Sequence, residues 1–255
     1  MTGRSVDGSY WRRADGKQQR RTRLSPHENH LIERLPRKER HHLLAMSDSI
    51  ALEPSAILSE PGGATRHVYF PTDGFISLVA MIDGSPGVEV GMVGQEGMLG
   101  VQAVLGINTA PLYSLVQGAG NAWRTEIVLF QHELERSPAL RRGMHAYLYV
   151  LMAQLVVSAA CLRFHVLSQR LARWLLMTQD RVRSDHLHVT HEFLAFMLGV
   201  RRVGITTAAA TMQREGLIEY RRGHLMVLDR KGLEAEACSC YASDKQKYAN
   251  FLIQH

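Results

Sequence analysis

Arg201, Arg202, Thr206 and Thr207 stand close together in the sequence, and Arg221, Arg222 and His224 follow a short way on. These residue types grip and read nucleic acid. A guanidinium forks onto guanine O6 and N7 or clamps a phosphate, and a threonine hydroxyl can bond to base or backbone. Such residues need two scaffolds, a helix for the first group and a hairpin for the second. The stretch 190–227 supplies both. Thr190 can cap a helix by accepting from free N–H groups of its first turn. Phe193, Leu194, Met197 and Leu198 recur at helical spacing. Gly199 permits a sharp turn at positive φ. A second helical run begins near Arg202, with Ile205, Ala208, Ala209 and Met212 on one side, and the small alanines allow close helix approach. After Gly216, the alternation of LIEYRRGHLMVLD, broken at Arg222-Gly223, predicts a two-stranded hairpin. Together these predict a helix-turn-helix followed by a wing, with the second helix suited to a DNA major groove.

The charge distribution agrees. The 255 residues carry a formal net charge of +6. Seven Arg/Lys against two Asp make residues 1–24 basic, and twelve against six make 163–231 basic. Residues 25–162 have nine against thirteen and are acidic on balance. Basic charge concentrated on the helix-turn-helix half and on an N-terminal arm is the electrostatic footprint of a nucleic-acid binder. The arm, 1–26, is polar and unpatterned and is expected to be disordered.

Other chemistries find less support. Of 13 histidines none falls in a His-Glu-x-x-His spacing, and no Gly-x-Ser-x-Gly occurs, so an enzyme is not expected. The three cysteines, Cys161, Cys238 and Cys240, make no even disulfide framework and suit a reduced, cytoplasmic setting. Cys238-Ser239-Cys240 is too sparse for a zinc site and reads as two incidental thiols, so no metal and no cofactor are expected. No apolar run is read as long enough to span a bilayer without charges.

Upstream, residues 27–47 hold one or two short amphipathic helices around Leu31, Ile32, Leu35, Leu43, Leu44 and Met46. From 50 to 129 the texture changes to short β-like runs, 49–52, 67–70, 75–81, 88–92, 112–117 and 121–127, separated by glycine and proline. Short strands at such spacing predict a small barrel or roll. Between them the glycine-rich segment 94–106 carries a helical core over 98–105, whose N–H groups could hold an anion. A long helix is predicted over 134–164, with Pro138 in its first turns. Leu148, Leu151, Leu155, Ser158 and Leu162 recur at three and four, as in a coiled-coil seam, and Tyr147, Val150, Gln154, Val157 and Cys161 form a second apolar face. A helix apolar on two sides must be buried twice, once on the roll and once on a second copy of itself. Residues 165–177 form a further amphipathic helix. The predicted fold is α+β: a jelly-roll-like N-terminal domain (27–133), a dimerisation helix (134–164), a winged helix-turn-helix (165–240) and a C-terminal tail (241–255).

This order resembles the Crp/Fnr family of bacterial transcription regulators over about residues 28–240. PGGATRHVYFPTDGFISL looks like the family's cyclic-nucleotide-binding-like sensor domain, and VTHEFLAFMLGVRRVGITTAAATMQREGLI looks like its DNA-binding motif. The resemblance implies a homodimer that binds a palindromic operator under control of an effector held in the roll, with Gly97, Gly100, Val101 and Gln102 as the candidate effector-pocket residues. Its partners would be double-stranded DNA, a second copy, an unidentified small molecule and RNA polymerase. Two departures set this chain apart. Cyclic-nucleotide-binding members carry a glutamate just after a glycine and an arginine further along; here Gly100 is followed by Val101 and Gln102, and 108–112 contain no arginine. Oxygen-sensing members carry an N-terminal cysteine cluster, and no cysteine precedes Cys161. In the recognition helix Arg202 matches a family arginine, while Val203 and Thr207 stand where a glutamate and a second arginine are frequent. The competing function class is a small-molecule-binding regulatory module without DNA binding, which would lack residues 190–227.

Overall fold

The computed structural model describes residues 29–83 and 87–254, with side chains as far as residue 251. The basic arm expected over 1–26 lies outside the described residues, as do positions 84–86 of the turn expected over 83–87. The first helix, α1 (His30–Glu33), is capped by Asn29, whose carboxamide accepts from Leu31 N–H and donates to the carbonyls of Pro71 (3.0 Å) and Gly97 (2.7 Å). Helix α2 (Arg37–Ala45) starts directly after Pro36.

Seven strands follow: β1 (Ser47–Leu52), β2 (Ile57–Ser59), β3 (His67–Pro71), β4 (Phe75–Ala80), β5 (Val88–Val93), β6 (Tyr113–Gly118) and β7 (Gly120–Glu126). They make two antiparallel sheets, β1-β7-β3 and β2-β6-β4-β5, whose inner residues Leu52, Phe70, Ile76, Val93, Val116 and Ala122 share one core. Strand β2 was not legible in sequence. It is three residues long, and its pairing with β6 shifts register between Ile57 and Ser59. The helix expected over 98–105 is shorter, a 3₁₀ turn at Val101–Leu105. Met98 is fully buried and Leu99 bridges Tyr69, so these two residues belong to the roll. Gly100 and Gly106, at φ 90° and 72°, delimit the turn.

The long helix predicted from Leu134 is two helices, α3 (Ile127–Arg136) and α4 (Pro138–Phe164). Ser137 separates them. Its hydroxyl accepts from Leu140 N–H at 2.9 Å, and Pro138 takes the first helical position, where its missing N–H costs nothing. Leu140, Met144, Tyr147 and Leu151 bury α4 in the core of the roll. No Asp, Glu, Lys or Arg occurs between Arg142 and Arg163, so α4 is, by length and composition, apolar enough to cross a membrane. That corrects the reading that no run is. The cause is burial from several sides within the fold, which demands the same composition as lipid.

Helix α5 (Leu167–Val182) then leads into β8 (His186–His188), α6 (His191–Met197), α7 (Arg202–Arg214), β9 (Ile218–Arg221), β10 (His224–Val227), α8 (Arg230–Glu236) and α9 (Cys240–Gln254). The C-terminal tail expected over 241–255 is therefore helical as far as residue 254. It folds back along α4 and places Phe251 in the core of the roll. Tyr241, Asp244, Tyr248 and Phe251 recur at three and four, a helical stripe whose aromatic and acidic members hide it from an aliphatic pattern. Asp244 pairs with Arg173 of α5 at 2.7 Å, both largely buried, and Tyr241 Oη donates to Asp180 at 2.8 Å.

The two halves of the chain share packing. Phe75, Val79, Met92 and Leu115 of the roll join Trp174, Leu175, Leu194 and Phe196 in one cluster. Arg181 of α5 grips Glu96 through two N–H groups, at 2.9 and 2.6 Å. Beside it Glu89 of β5 accepts a hydrogen bond from Ser77 Oγ, and burial, opposed by that bond and by the charges of Arg181 and Arg173, pushes its carboxyl up to about 7. Because the folded-state value exceeds the unfolded one, the bound proton favours folding. This contribution is complete below about 4.5 and is lost as pH rises through about 7. Glu89→Gln keeps a hydrogen-bond acceptor for Ser77 and removes the buried charge. It should stabilise the chain by on the order of 1–3 kcal/mol at pH 8, and the gain should vanish near pH 4. Urea unfolding at the two pH values checks this, and an equal gain at both would refute the assignment.

Candidate nucleic-acid interface

Thr190 caps α6 as its sequence position suggests, accepting from Phe193 N–H at 3.1 Å. The axes of α6 and α7 turn through 110°, within the range of a helix-turn-helix. Gly199 makes the corner at φ 61°, and a Cβ there would meet Val88 at 3.2 Å. Leu194 and Met197 of α6 lock onto Ile205, Ala208, Ala209 and Met212 of α7, all buried. The opposite face of α7 is exposed and carries Arg202, Val203, Thr206, Thr207, Ala210, Gln213 and Arg214, with Arg201 at its N-cap. Val203 is 68% exposed, an apolar group on a polar face, suited to contact with a thymine methyl.

The threonines are braced. Thr206 Oγ1 donates to Arg202 O at 3.1 Å and lies 3.0 Å from His191 Nδ1; Thr207 Oγ1 donates to Val203 O at 3.1 Å. Each hydroxyl oxygen keeps acceptor capacity. The His191 ring stacks on Tyr220, centroids 4.3 Å apart, and Tyr220 Oη donates to Val189 O. Gln213 Oε1 accepts from Tyr220 N–H at 3.1 Å. Burial, followed by the charge of Arg202, holds His191 below its ordinary value, so its imidazole is neutral at neutral pH. His191, Gln213 and Tyr220 therefore position the wing against α7. Sequence reasoning took His191 only as a solvated or DNA-proximal histidine and passed over Gln213 and Tyr220, although Ala210, Gln213 and Arg214 extend the exposed stripe at helical spacing.

The wing turns at Arg222 and Gly223, with φ 50° and 85°, the two left-handed positions of a type I′ hairpin. A third strand, β8, pairs with β10 and was missed because three residues carry no alternation to read. His224 meets His188 edge to face at 4.9 Å, which settles its ring on the sheet. Arg201, Arg202, Arg221 and Arg222 are all exposed, and none makes an ion pair among the described residues. Two arginine pairs on adjacent elements, with no carboxylate partner, form a surface that attracts phosphate.

The candidate effector-pocket residues divide. Gly100, Val101 and Gln102 line a cavity of about 350 Å³ between the roll and α4. Gly97 does not: a Cβ there would come within 2.2 Å of Tyr147 Oη, so it is a glycine of close packing. The side chains Val101 and Leu105 border the cavity and do not fill it. Leu78, Val93, Leu148, Leu151 and Leu155 supply apolar walls, and Gln102 Nε2 donates to Thr65 Oγ1 at 2.8 Å. Arg66 is the arginine of the lining, no carboxylate joins it, and Arg124 is committed to Asp48 at 2.9 Å. The residues read as a dimer seam divide as well. Leu151 and Ser158 are buried within the chain and Leu148 and Leu155 face the cavity, leaving Leu162 as the exposed member. The reading of Cys238 and Cys240 as isolated thiols also changes, because the fold brings Cys161 and His165 to them.

Residues 169–236 match the family profile of the Crp-like helix-turn-helix domain. This stretch, 169–236, is a Crp-like helix-turn-helix domain, and the chain around it has a Crp/Fnr fold. A protein from Eubacterium rectale described as a Crp/Fnr-family transcriptional regulator is 17% identical over 81% of this chain and 97% of its own, with a TM-score of 0.65. TTHA1359, a Crp/Fnr-family regulator from Thermus thermophilus, is 21% identical over 74% of this chain and 98% of its own, TM-score 0.63. CLP of Xanthomonas campestris, described as a c-di-GMP-responsive global regulator, is 18% identical over 75% and 99%, TM-score 0.62. At these identities the likeness is one of fold. No curated protein matches the sequence. The cavity of this Crp/Fnr fold offers a cyclic phosphate one exposed arginine and offers its ribose no carboxylate. Calorimetric titration with cyclic AMP and cyclic GMP should be silent at micromolar concentration, and binding in that range would overturn this account of the cavity.

Proposed function

We propose that the chain is a sequence-specific DNA-binding transcription regulator of the Crp/Fnr type, acting in the cytoplasm as a homodimer on a palindromic operator. The observation that carries this reading is the exposed, unpaired arginine surface of α7 and the wing on a helix-turn-helix frame. A regulatory module without DNA binding would have no use for it. Helix α7 enters the major groove, with Arg202 and Val203 toward base edges, and Arg201, Arg221 and Arg222 on phosphates. RNA polymerase is the further partner of a regulator of this kind, and the apolar cavity is the place for a small-molecule effector.

Dimerisation falls to the outer face of α4. Tyr149, Met152 and Val156 are 72%, 58% and 69% exposed and recur at three and four. This is the stripe left open by the roll and α9, and we take it for the contact in place of Leu148, Leu151, Leu155, Ser158 and Leu162. A second copy would bury the same stripe across a two-fold axis.

Two measurements test the reading. Val156→Glu should place paired like charges in the seam and shift the chain from dimer to monomer in sedimentation, while Leu151→Ala should loosen the cavity and leave the dimer. A monomeric wild type at micromolar concentration would sink the dimer. On an operator selected from random DNA, with half-sites about 34 Å apart, Arg202→Ala should cost on the order of 1–3 kcal/mol and relax preference at one base pair. Arg221→Ala should weaken binding to all sequences and reduce the salt slope. Identical, sequence-independent losses for both would refute the division of roles.

A further inference from the structure

At the C-terminal end of α4 the fold assembles a group that neither the DNA surface nor the cavity uses. Cys161 Sγ lies 3.5 Å from Cys238 Sγ, and Cys240 Sγ lies 3.5 Å from His165 Nδ1. All four ligand atoms fall within 4.8 Å of one another. The three cysteines are buried free thiols, and Val157 packs against them. Cys161 and His165 sit four residues apart at the end of α4, so both face one side. Cys238 and Cys240 flank Ser239 where the chain passes from α8 to α9, and Tyr241 N–H donates to Cys238 O at 3.1 Å.

The dimensions suit a tetrahedral ion. With metal–sulfur bonds near 2.3 Å and metal–nitrogen bonds near 2.0–2.1 Å, neighbouring ligand atoms of such a site stand roughly 3.5–3.8 Å apart. Two separations already have that length, and the longest must contract by about 1 Å. Three thiolates and one imidazole form a soft donor set, which selects zinc over magnesium or calcium. Arg170 and Arg173 lie within electrostatic reach of the thiols, so their charges stand ready to offset thiolate ligands.

We propose that Cys161, His165, Cys238 and Cys240 form a Cys₃His structural zinc site that fastens the C-terminal helix to the junction between α4 and the DNA-binding half. On binding, the thiol protons pass to solvent and no electron is transferred. The net charge of three thiolates and Zn²⁺ is −1, which Arg170 and Arg173 offset. The location gives the site its role. His165, in extended conformation at φ −107° and ψ 143°, is the residue at which α4 ends and the path to α5 begins. Cys238 and Cys240 lead α9, which is held to α5 by Asp244 and Arg173. The ion ties these three elements at one point.

The test needs no DNA, so it succeeds or fails apart from the regulatory reading. The full chain, purified under reducing conditions without chelator, should hold one zinc per chain by elemental mass spectrometry. After chelation, Co²⁺ should give the intense ligand-field bands of tetrahedral coordination with thiolate charge transfer, and Zn²⁺ should bleach them. Cys161→Ser and Cys240→Ser should abolish the spectrum. His165→Cys should retain binding and shift the bands toward a four-thiolate site, which keeps the proposal testable if a serine variant fails to fold. The proposal is overturned by a chain that holds no metal and gives no Co²⁺ spectrum. It is overturned equally by a spectrum that Cys240→Ser and His165→Cys both leave unchanged, or by a Cys161–Cys238 disulfide that takes up no metal after reduction.

Discussion

A helix of 27 residues with no charge between Arg142 and Arg163 cannot present its surface to water, and α4 imposes that condition on the rest of the chain. The roll covers it on one side through Met144, Tyr147 and Leu151. Helix α9 returns from the far end of the sequence to cover another, so the polar Gln154 lies near Tyr248 Oη at 3.5 Å, and α5 brings Arg173 to 3.5 Å from Ser158. The stripe of Tyr149, Met152 and Val156 is what remains. The domains therefore do not hang from α4 as from a rod. They are packed onto it, and α5 carries the same arrangement into the winged helix through Arg181, Arg173 and Trp174.

The ion pairs follow the same logic. Arg181 with Glu96 and Arg173 with Asp244 are both largely buried, each joining α5 to another part of the chain. Such pairs add little net stability, since desolvation consumes most of the attraction, but breaking one leaves a buried charge unpaired. They act as registers. A slide of α5 against the roll or α9 would strand a guanidinium, and this restricts how the winged helix can sit on the chain.

The winged helix was legible because its signals are local. A threonine cap, a glycine corner, alanines at close approach and an Arg-Gly turn each act within a few residues, and the structure uses each as read. The phase of α4 was not legible for a physical reason. Leu148, Leu151, Leu155, Ser158 and Leu162 are as regular as Tyr149, Met152 and Val156, and only tertiary packing decides which stripe the roll takes. Helix α9 and the four-ligand cluster were hidden for the same reason. Cys161 and Cys238 are 77 positions apart, and nothing near either indicates that α9 returns to α4. Three-residue strands such as β2 and β8 leave no periodicity at all.

The cavity and the open stripe meet at one residue. Met152 lines the cavity and is also more than half exposed on the outer face of α4, with Leu148 and Leu155 beside it on the cavity wall. If a second copy covers that stripe, its helix presses on the same side chain that closes the cavity. Occupancy of the cavity and contact across the dimer then compete or cooperate for the rotamers of Met152, a flexible side chain suited to repacking. A ligand can shift the chain between two arrangements only by binding them unequally. An apolar molecule against Leu148, Leu151 and Met152 would make that distinction on α4 itself, one turn from Tyr149 and Val156. The helix leads on to His165, where the path to α7 begins. In the proposed dimer, a signal from the roll would thus reach the winged helix as a change in how two α4 helices pack, with no separate linker needed to carry it.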